Sequence, residues 1–349
     1  MTSISEIPRA MRGLDEPLLG HVPQRRHPIV AVAVATAFVV AVLVAASRPA
    51  IGLAAWLPSA DWVLPQSDIL EVRQFLQIRA AVNGDSARTP VVILHGMGDS
   101  STNPGMAALC RSVSDAYPGI YVVCANVANG IASVTAPLAD QVTDLAKLVR
   151  ADAQLADGFH AIGLSQGGLV LRGYVERHNS PPVRRLMTIC TPHAGVGTCP
   201  SSAMYKLVCP LWTLAPYTAR LAFSDYWKDP TDRQTYLERS RWLADINNER
   251  VEKTASYRDN MLALERYVLV EAMNDTTVMP SVSESHGFYE WGGHGTVLTL
   301  RQTDGYREDA LGLRTLDGSG RLVIERYEGD HLQFTPEFWS HTVLPHLGP

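Results

Sequence analysis

The 349-residue sequence has few charged side chains and no long run of basic ones. Charged residues make up 19% of the chain, and the formal net charge is −5. Because contact with a phosphate backbone requires a basic face, this balance argues against a nucleic-acid-binding protein. The sequence also lacks internal repeats and low-complexity tracts, whereas hydrophobic residues reach 46%. Global disorder is therefore excluded, and a globular fold with a sizeable core is favoured.

Metal-binding and cofactor-binding motifs are also missing. The sequence holds no HExxH pattern and no clustered Asp/His motif, so a metal hydrolase has little support. We expect no metal and no cofactor. Cysteine is scarce, and the spacing of the five cysteines matches no tetrahedral zinc site. Cys199 and Cys209 flank a short loop and are the predicted disulfide pair in an oxidising compartment, and at least one cysteine must stay unpaired within the chain.

One long uncharged segment stands near the N-terminus. Residues 28–47 contain the apolar stretch Ile29–Ala46, which is interrupted only by Thr36. About 20 apolar residues span a bilayer, and the arginines that precede the segment place residues 1–27 in the cytosol. The long leader favours an uncleaved signal anchor, while the small residues at its end also fit a cleaved signal peptide. In both cases the rest of the chain lies in a lumen or outside the cell.

Residues 48–89 mix proline, tryptophan and polar residues and are predicted to form a stalk that leads into a single domain, 90–349. In that domain, apolar runs alternate with amphipathic stretches, which favours an α/β fold with a mostly parallel sheet covered by helices on both faces. The predicted strands are 89–96, 119–125, 158–164, 183–190, 265–273 and 322–327. The alternation stops between about residues 195 and 260, which are predicted to form an inserted helical cap.

The pentapeptide GLSQG, residues 163–167, places Ser165 between a buried strand and a helix. In that context G-x-S-x-G predicts a nucleophile elbow, a tight turn that lifts the serine hydroxyl above the sheet. A serine hydroxyl becomes a good nucleophile only when a base removes its proton and a carboxylate orients that base.

The base and the acid should follow the serine in the order acid, then histidine. His331 lies in a turn just after the last strand, where loops at the carboxyl edge of a parallel sheet converge. Asp275 follows the preceding strand and is the predicted acid, with Asp304 as a less favoured substitute. The tetrahedral oxyanion needs two donors, and the backbone N–H groups of Met97 and Gln166 are the candidates.

These segments together resemble the palmitoyl-protein thioesterase family. The resemblance covers about residues 90–348 in a consistent order and rests on the motifs HGMGDS, GIYVV, GLSQGG, YWKDP, LADINNER, NDTTVMP and EGDHLQ. It implies an α/β-hydrolase that removes long acyl chains from cysteine thioesters in a lysosomal setting, and it supports Ser165, Asp275 and His331 as the catalytic triad. Ser101 and Thr102 stand where the family has adjacent cysteines, which implies that one family disulfide is absent.

The predicted partners are an S-acylated protein or acyl-CoA as substrate and, if residues 28–47 are not cleaved, a membrane. Asn274 begins the only N-glycosylation sequon. Two alternatives remain open at this point: a lipase or carboxylesterase that uses the same triad on oxygen esters, and a non-catalytic, membrane-tethered lipid-binding protein. The aromatic and leucine residues of the cap either line an acyl groove or pack in the core, and the sequence does not separate these roles.

Overall fold

The computed structural model describes residues 88–200, 209, 216–218 and 220–348. The leader, the apolar segment 28–47 and nearly all of the stalk lie outside this range, as do several residues of the predicted cap. No helix within the described ranges is both long and apolar enough to cross a bilayer.

A six-stranded parallel sheet forms the centre of the molecule, as the sequence predicts. Its order is β2-β1-β3-β4-β5-β8, and every neighbouring pair is parallel. The strands are β1 (Val91–Leu94), β2 (Val122–Cys124), β3 (Phe159–Leu164), β4 (Val183–Ile189), β5 (Arg266–Ala272) and β8 (Leu322–Tyr327), and a separate antiparallel pair joins β6 (Phe288–Tyr289) to β7 (Val297–Leu298).

The described α-helices lie between and after these strands. They are α1 (Pro104–Ala116), α2 (Ala132–Thr135), α3 (Leu138–Ala151), α4 (Gln166–Arg177), α5 (Arg233–Arg239), α6 (Leu243–Ile246), α7 (Ala255–Leu262), α8 (Asp304–Arg307), α9 (Leu313–Gly318) and α10 (Pro336–Phe338). The 3-10 turns are Ala153–Leu155, Ala222–Asp225, Ser281–Ser285, Leu300–Gln302 and Leu344–Leu347, and a π-helical turn, Trp339–Val343, follows α10.

The strands are continuous apolar runs because both faces of the sheet are covered. Val92 and Leu94 of β1 pack into one hydrophobic cluster with α3 and α4, whereas Val91 and Ile93 pack into the opposite cluster with α1 and the C-terminal turns. Successive side chains of a strand point to opposite faces, so neither face of β1 has a polar position. This burial fixes the strand ends, and with them the loops that carry the polar residues described below.

The segment between β4 and β5 holds helices, and its large aromatic residues are core residues where the structure describes them. Trp242 and Tyr236 are at most 1% exposed. A Cβ added at Gly173 of α4 would lie 2.7 Å from the ring of Trp242, so Trp242 packs directly against the helix that follows Ser165. Trp242 and Tyr236 are therefore explained by packing in the core.

Two disulfides join the described cysteines. The structure pairs Cys199 with Cys209, as the sequence predicts, and pairs Cys110 of α1 with Cys124 of β2, which the sequence analysis did not predict. The second pair was missed because its residues belong to a helix and a strand that come together only through packing. Cys190 at the end of β4 is a buried free thiol.

Candidate active site

Ser165 lies at the sharp turn between β3 and α4. Its backbone has a φ of 50° and a ψ of −123°, a conformation that L-residues rarely adopt. The turn requires glycine on both sides, because a Cβ at Gly163 would lie 2.4 Å from the Cα of Gly168 and one at Gly167 would lie 2.4 Å from the carbonyl oxygen of His95. The G-x-S-x-G pattern therefore follows from close backbone packing, and the serine is partly exposed at its apex.

The side chains of Ser165, His331 and Asp275 form a continuous hydrogen-bonded chain. The Nε2 atom of His331 is 3.0 Å from the Ser165 hydroxyl oxygen, and its Nδ1 atom is 2.6 Å from Oδ2 of Asp275. The three residues come from the turns that follow β3, β8 and β5, at one edge of the sheet. An imidazole held between a carboxylate and a hydroxyl is the arrangement that removes a proton from the hydroxyl.

Asp275 is fully buried and is held as a carboxylate. Its Oδ1 atom accepts hydrogen bonds from the backbone N–H groups of Thr277 at 2.6 Å and Val278 at 2.7 Å. Burial by itself would raise the pKa of Asp275, but hydrogen bonds from His331 and from the Val278 N–H, and the contact with Glu284, lower it below its usual value. The carboxylate thus has one oxygen fixed by the backbone and the other directed at the imidazole.

Asp330, next to His331, and Asp304, the less favoured candidate for the acid, take different partners. Asp330 accepts hydrogen bonds from the backbone N–H groups of Thr276 and His331, each at 2.7 Å, so it braces the turn rather than the imidazole ring. Asp304 is exposed at the start of α8, where it pairs with Arg307 at 3.6 Å. Asn274 is exposed beside Asp275, at a position where the N-glycosylation sequon is accessible.

The loop after β1 passes directly beside Ser165. A Cβ added at Gly96 would lie 3.1 Å from the Cβ of Ser165, so the HG pair brings the backbone of this loop against the serine. The loop is braced from outside, because Gly98 donates its N–H to the Ser133 hydroxyl at 2.7 Å and Asn129 accepts from the Ser101 N–H at 3.1 Å. His95 contacts Asn129 through Nε2 at 2.9 Å, which is a structural role.

The side chain of Gln166, left unassigned by the sequence, joins helix α2 to Tyr226 in the segment between β4 and β5. Its amide donates to the carbonyl oxygen of Ser133 at 2.7 Å, and its carbonyl accepts from the Tyr226 hydroxyl at 3.2 Å. The Tyr226 hydroxyl also lies 3.5 Å from the sulfur of Met97. Tyr226 therefore contacts both residues that the sequence predicts as backbone donors. Its YWKDP motif carried part of the family resemblance, but no local pattern indicates this contact.

Two further buried groups line the site and were not identified from the sequence. The sulfur of Cys190 accepts a hydrogen bond at 3.4 Å from the N–H of Leu332, the residue after His331. Glu284 belongs to the 3-10 turn Ser281–Ser285. One potential ligand atom from each of Cys190, Asp275, Glu284 and His331 lies within 4.8 Å of the others. Burial raises the pKa of the Cys190 thiol well above its usual value, which disfavours the thiolate that a metal would require.

The chain is similar to proteins of one family. The palmitoyl protein thioesterase family model matches residues 90–331. Palmitoyl-protein thioesterase 3 of Dictyostelium discoideum is 38% identical over 78% of this chain and 96% of its own length. Palmitoyl-protein thioesterase 1 of Caenorhabditis elegans is 34% identical over 70% of this chain and 87% of its own. Lysosomal thioesterase PPT2 of Bos taurus is 30% identical over 68% of this chain and 79% of its own. With this match across the whole sheet, the chain is a hydrolase of α/β fold that belongs to the palmitoyl-protein thioesterase family.

Proposed function

We propose that this protein cleaves long-chain acyl thioesters, such as S-palmitoylated cysteines of proteins and acyl-CoA, through an acyl-enzyme on Ser165. The proposal rests above all on the hydrogen-bonded chain from Asp275 through His331 to Ser165, with distances of 2.6 and 3.0 Å. The names of the relatives supply the substrate class, since two of them are palmitoyl-protein thioesterases.

In the proposed reaction, Nε2 of His331 accepts the proton of the Ser165 hydroxyl as its oxygen attacks the thioester carbonyl. The N–H groups of Met97 and Gln166 hold the oxyanion. The carbon–sulfur bond then breaks, and the thiolate takes the proton from His331. Water then gives a proton to His331 and attacks the acyl carbonyl. As the ester bond to the Ser165 oxygen breaks, His331 returns that proton to the serine oxygen and the fatty acid is released. Asp275 stays ionised throughout and stabilises the imidazolium.

A comparison of substrates separates this function from its nearest alternative. We expect the wild-type protein to hydrolyse palmitoyl-CoA and an S-palmitoylated peptide with a kcat/KM at least about tenfold above that for a triglyceride or a short p-nitrophenyl ester. A thiolate is a better leaving group than the alkoxide of a triglyceride. The short p-nitrophenyl ester has a good leaving group but lacks the long apolar chain that adds binding energy. A preference for oxygen esters would instead identify a lipase or carboxylesterase with the same triad.

We also propose that the protein works in the lysosomal lumen. Support comes from the name of the Bos taurus relative, a lysosomal thioesterase, and from the two disulfides, which persist in oxidising compartments. Glycosylation at Asn274 and a membrane anchor at residues 28–47 are parts of the same proposal. Sequencing the N-terminus of the mature protein distinguishes an anchor from a cleaved signal peptide.

Ser133 provides a test of the loop that carries Met97. Replacing Ser133 with Ala removes the acceptor for the Gly98 N–H, so we expect kcat to fall about tenfold with little change in KM. This loss is smaller than the loss expected for a deleted oxyanion donor, because the Met97 N–H group remains and only its position is less fixed. Thr135→Ala on the same helix α2 is the matched control, since that hydroxyl donates to the carbonyl of Ile131. Equal kcat values for the two variants would contradict the assignment of the loop.

A further inference from the structure

Glu284 is a buried carboxyl group beside the candidate active site that the proposed reaction does not use. It is 1% exposed and lies in the 3-10 turn Ser281–Ser285. Its Oε2 atom accepts a hydrogen bond from the N–H of Ala272, at the end of β5, at 2.8 Å. Its Oε1 atom is buried with no donor among the residues that the structure describes. A buried carboxylate oxygen without a donor is costly, so the protonation of this group matters.

A carboxylate oxygen of Glu284 lies within 4.8 Å of a carboxylate oxygen of Asp275, and both side chains are buried. Two carboxylate oxygens are both acceptors, so this contact is a hydrogen bond only if one of the two groups carries a proton. Two adjacent buried negative charges repel strongly, and such a pair keeps one proton. Besides Asp275, the charge that acts on Glu284 is that of Glu271, which itself pairs with Arg326 at 3.2 Å. Of the other titratable groups beside this site, Cys190 and Tyr327 bring no positive charge when protonated, and the His331 ring, which has a nitrogen within 4.8 Å of a Glu284 oxygen, is held by Asp275 through Nδ1.

The surrounding donors decide which carboxyl group holds the proton. Asp275 receives two backbone N–H bonds and faces Nδ1 of His331, all of which favour its ionised form. Glu284 has a single backbone donor. Burial, followed by the contact with Asp275, raises the pKa of Glu284 well above its usual value. The proton therefore belongs to Glu284, on the oxygen that has no donor.

We propose that Glu284 is a positioning residue for the reaction at Ser165: it carries a proton and donates it in a hydrogen bond to Asp275, which keeps that carboxylate ionised and directed at His331. This inference rests on the proposed function. The bond adds Glu284 to the Thr277 and Val278 N–H groups and the His331 ring as partners that orient Asp275. Because Glu284 is buried away from solvent, we expect its effect to be on turnover and not on substrate binding.

Infrared spectroscopy tests the proton without any assay of activity. The wild-type protein at neutral pH should show a protonated carboxyl C=O band that shifts in D2O and is lost in Glu284→Gln. Glu176, a second buried carboxyl whose pKa is raised to about 8, is present in both proteins, so the difference spectrum isolates Glu284. If the difference spectrum shows only an ionised carboxylate, the proposal is overturned even when the protein proves to be an active thioesterase.

Kinetics test the positioning role. The amide of Glu284→Gln can accept from the Ala272 N–H and donate to Asp275, so we expect kcat to stay within about threefold of wild type. Glu284→Met fills the same space without a donor, and we expect kcat to fall about 10- to 100-fold at unchanged KM, the scale for loss of a partner behind a reacting group. Glu176→Gln, equally buried and near the end of α4 away from Ser165, is the control and should keep its activity.

Two results would overturn the role. One is a kcat in Glu284→Gln as low as that of Glu284→Met, which would show that a charge rather than a donor is needed. The other is full activity in Glu284→Met. If Glu284→Met fails to fold, the infrared comparison of wild type with Glu284→Gln still decides the protonation on which the proposal depends. If the wild-type protein shows no thioesterase activity, the proposed function is wrong, and the infrared result on Glu284 is unaffected.

Discussion

Replacing Ser165 with Ala is expected to lower kcat by about 10⁴-fold or more on palmitoyl-CoA and on an S-palmitoylated peptide. The hydroxyl oxygen is the atom that attacks the carbonyl in the proposed reaction, and no neighbouring group replaces it. Cys190, the free thiol of the described chain, is buried, and its raised pKa keeps it protonated, so it does not act as a substitute nucleophile. Residual activity would come from water acting in a site that still binds the oxyanion.

The measurement has two parts. Steady-state hydrolysis gives the loss in kcat, and mass spectrometry of wild type quenched during turnover should locate the acyl group on the peptide that contains Ser165. Ser114→Ala is the matched control, because Ser114 is exposed on α1, away from the turn that holds Ser165. Ser165→Ala should fold normally, since the space around Ser165 accommodates a smaller side chain. Unchanged turnover in Ser165→Ala would remove the acyl-enzyme mechanism, whereas no turnover in wild type on any of these substrates would favour a non-catalytic lipid-binding protein.

The strands and the order of the polar turns could be predicted from the sequence because local patterns encode them. Both faces of the sheet are buried, so β1 and β3 are continuous apolar runs, and such runs predict buried strands. The limits of β8 agree with the prediction, Leu322–Tyr327. Ser165, Asp275 and His331 each follow a recognisable strand, so the topology of a parallel sheet brings them to one edge.

The contacts that support those three residues could not be predicted, because they join segments that are far apart in sequence. Tyr226 reaches Gln166 across 60 positions, and Glu284 belongs to a turn whose short sequence, SVSES, has no pattern typical of a functional site. The small β6–β7 pair was missed for a related reason, since two-residue strands carry no periodicity. The disulfide between Cys110 and Cys124 likewise depends on how α1 packs on β2.

Replacing Asp275 with Asn is the second large effect, and its cause lies in how the backbone fixes the side chain. Oδ1 of Asp275 accepts from the N–H groups of Thr277 and Val278, so an asparagine there must keep its carbonyl oxygen in that position. Its NH2 group then faces Nδ1 of His331, where Oδ2 now lies 2.6 Å away. A donor at that position requires Nδ1 to accept, which puts the imidazole proton on Nε2. With a proton on Nε2, His331 cannot take the proton of Ser165.

We therefore expect kcat of Asp275→Asn to fall about 10³- to 10⁴-fold, while substrate binding changes little. Stability provides a separate readout. The pKa of Asp275 is lowered in the folded protein, so its ionised form stabilises the fold above the ordinary aspartate pKa of about 3.9, and this contribution is lost as pH falls through the lowered value. Asparagine has no such dependence. The gap in Tm between wild type and variant should therefore be widest above about pH 4 and close at more acidic pH. A gap that does not change with pH would contradict an ionised Asp275, and a kcat near that of wild type would contradict its role in fixing the tautomer of His331.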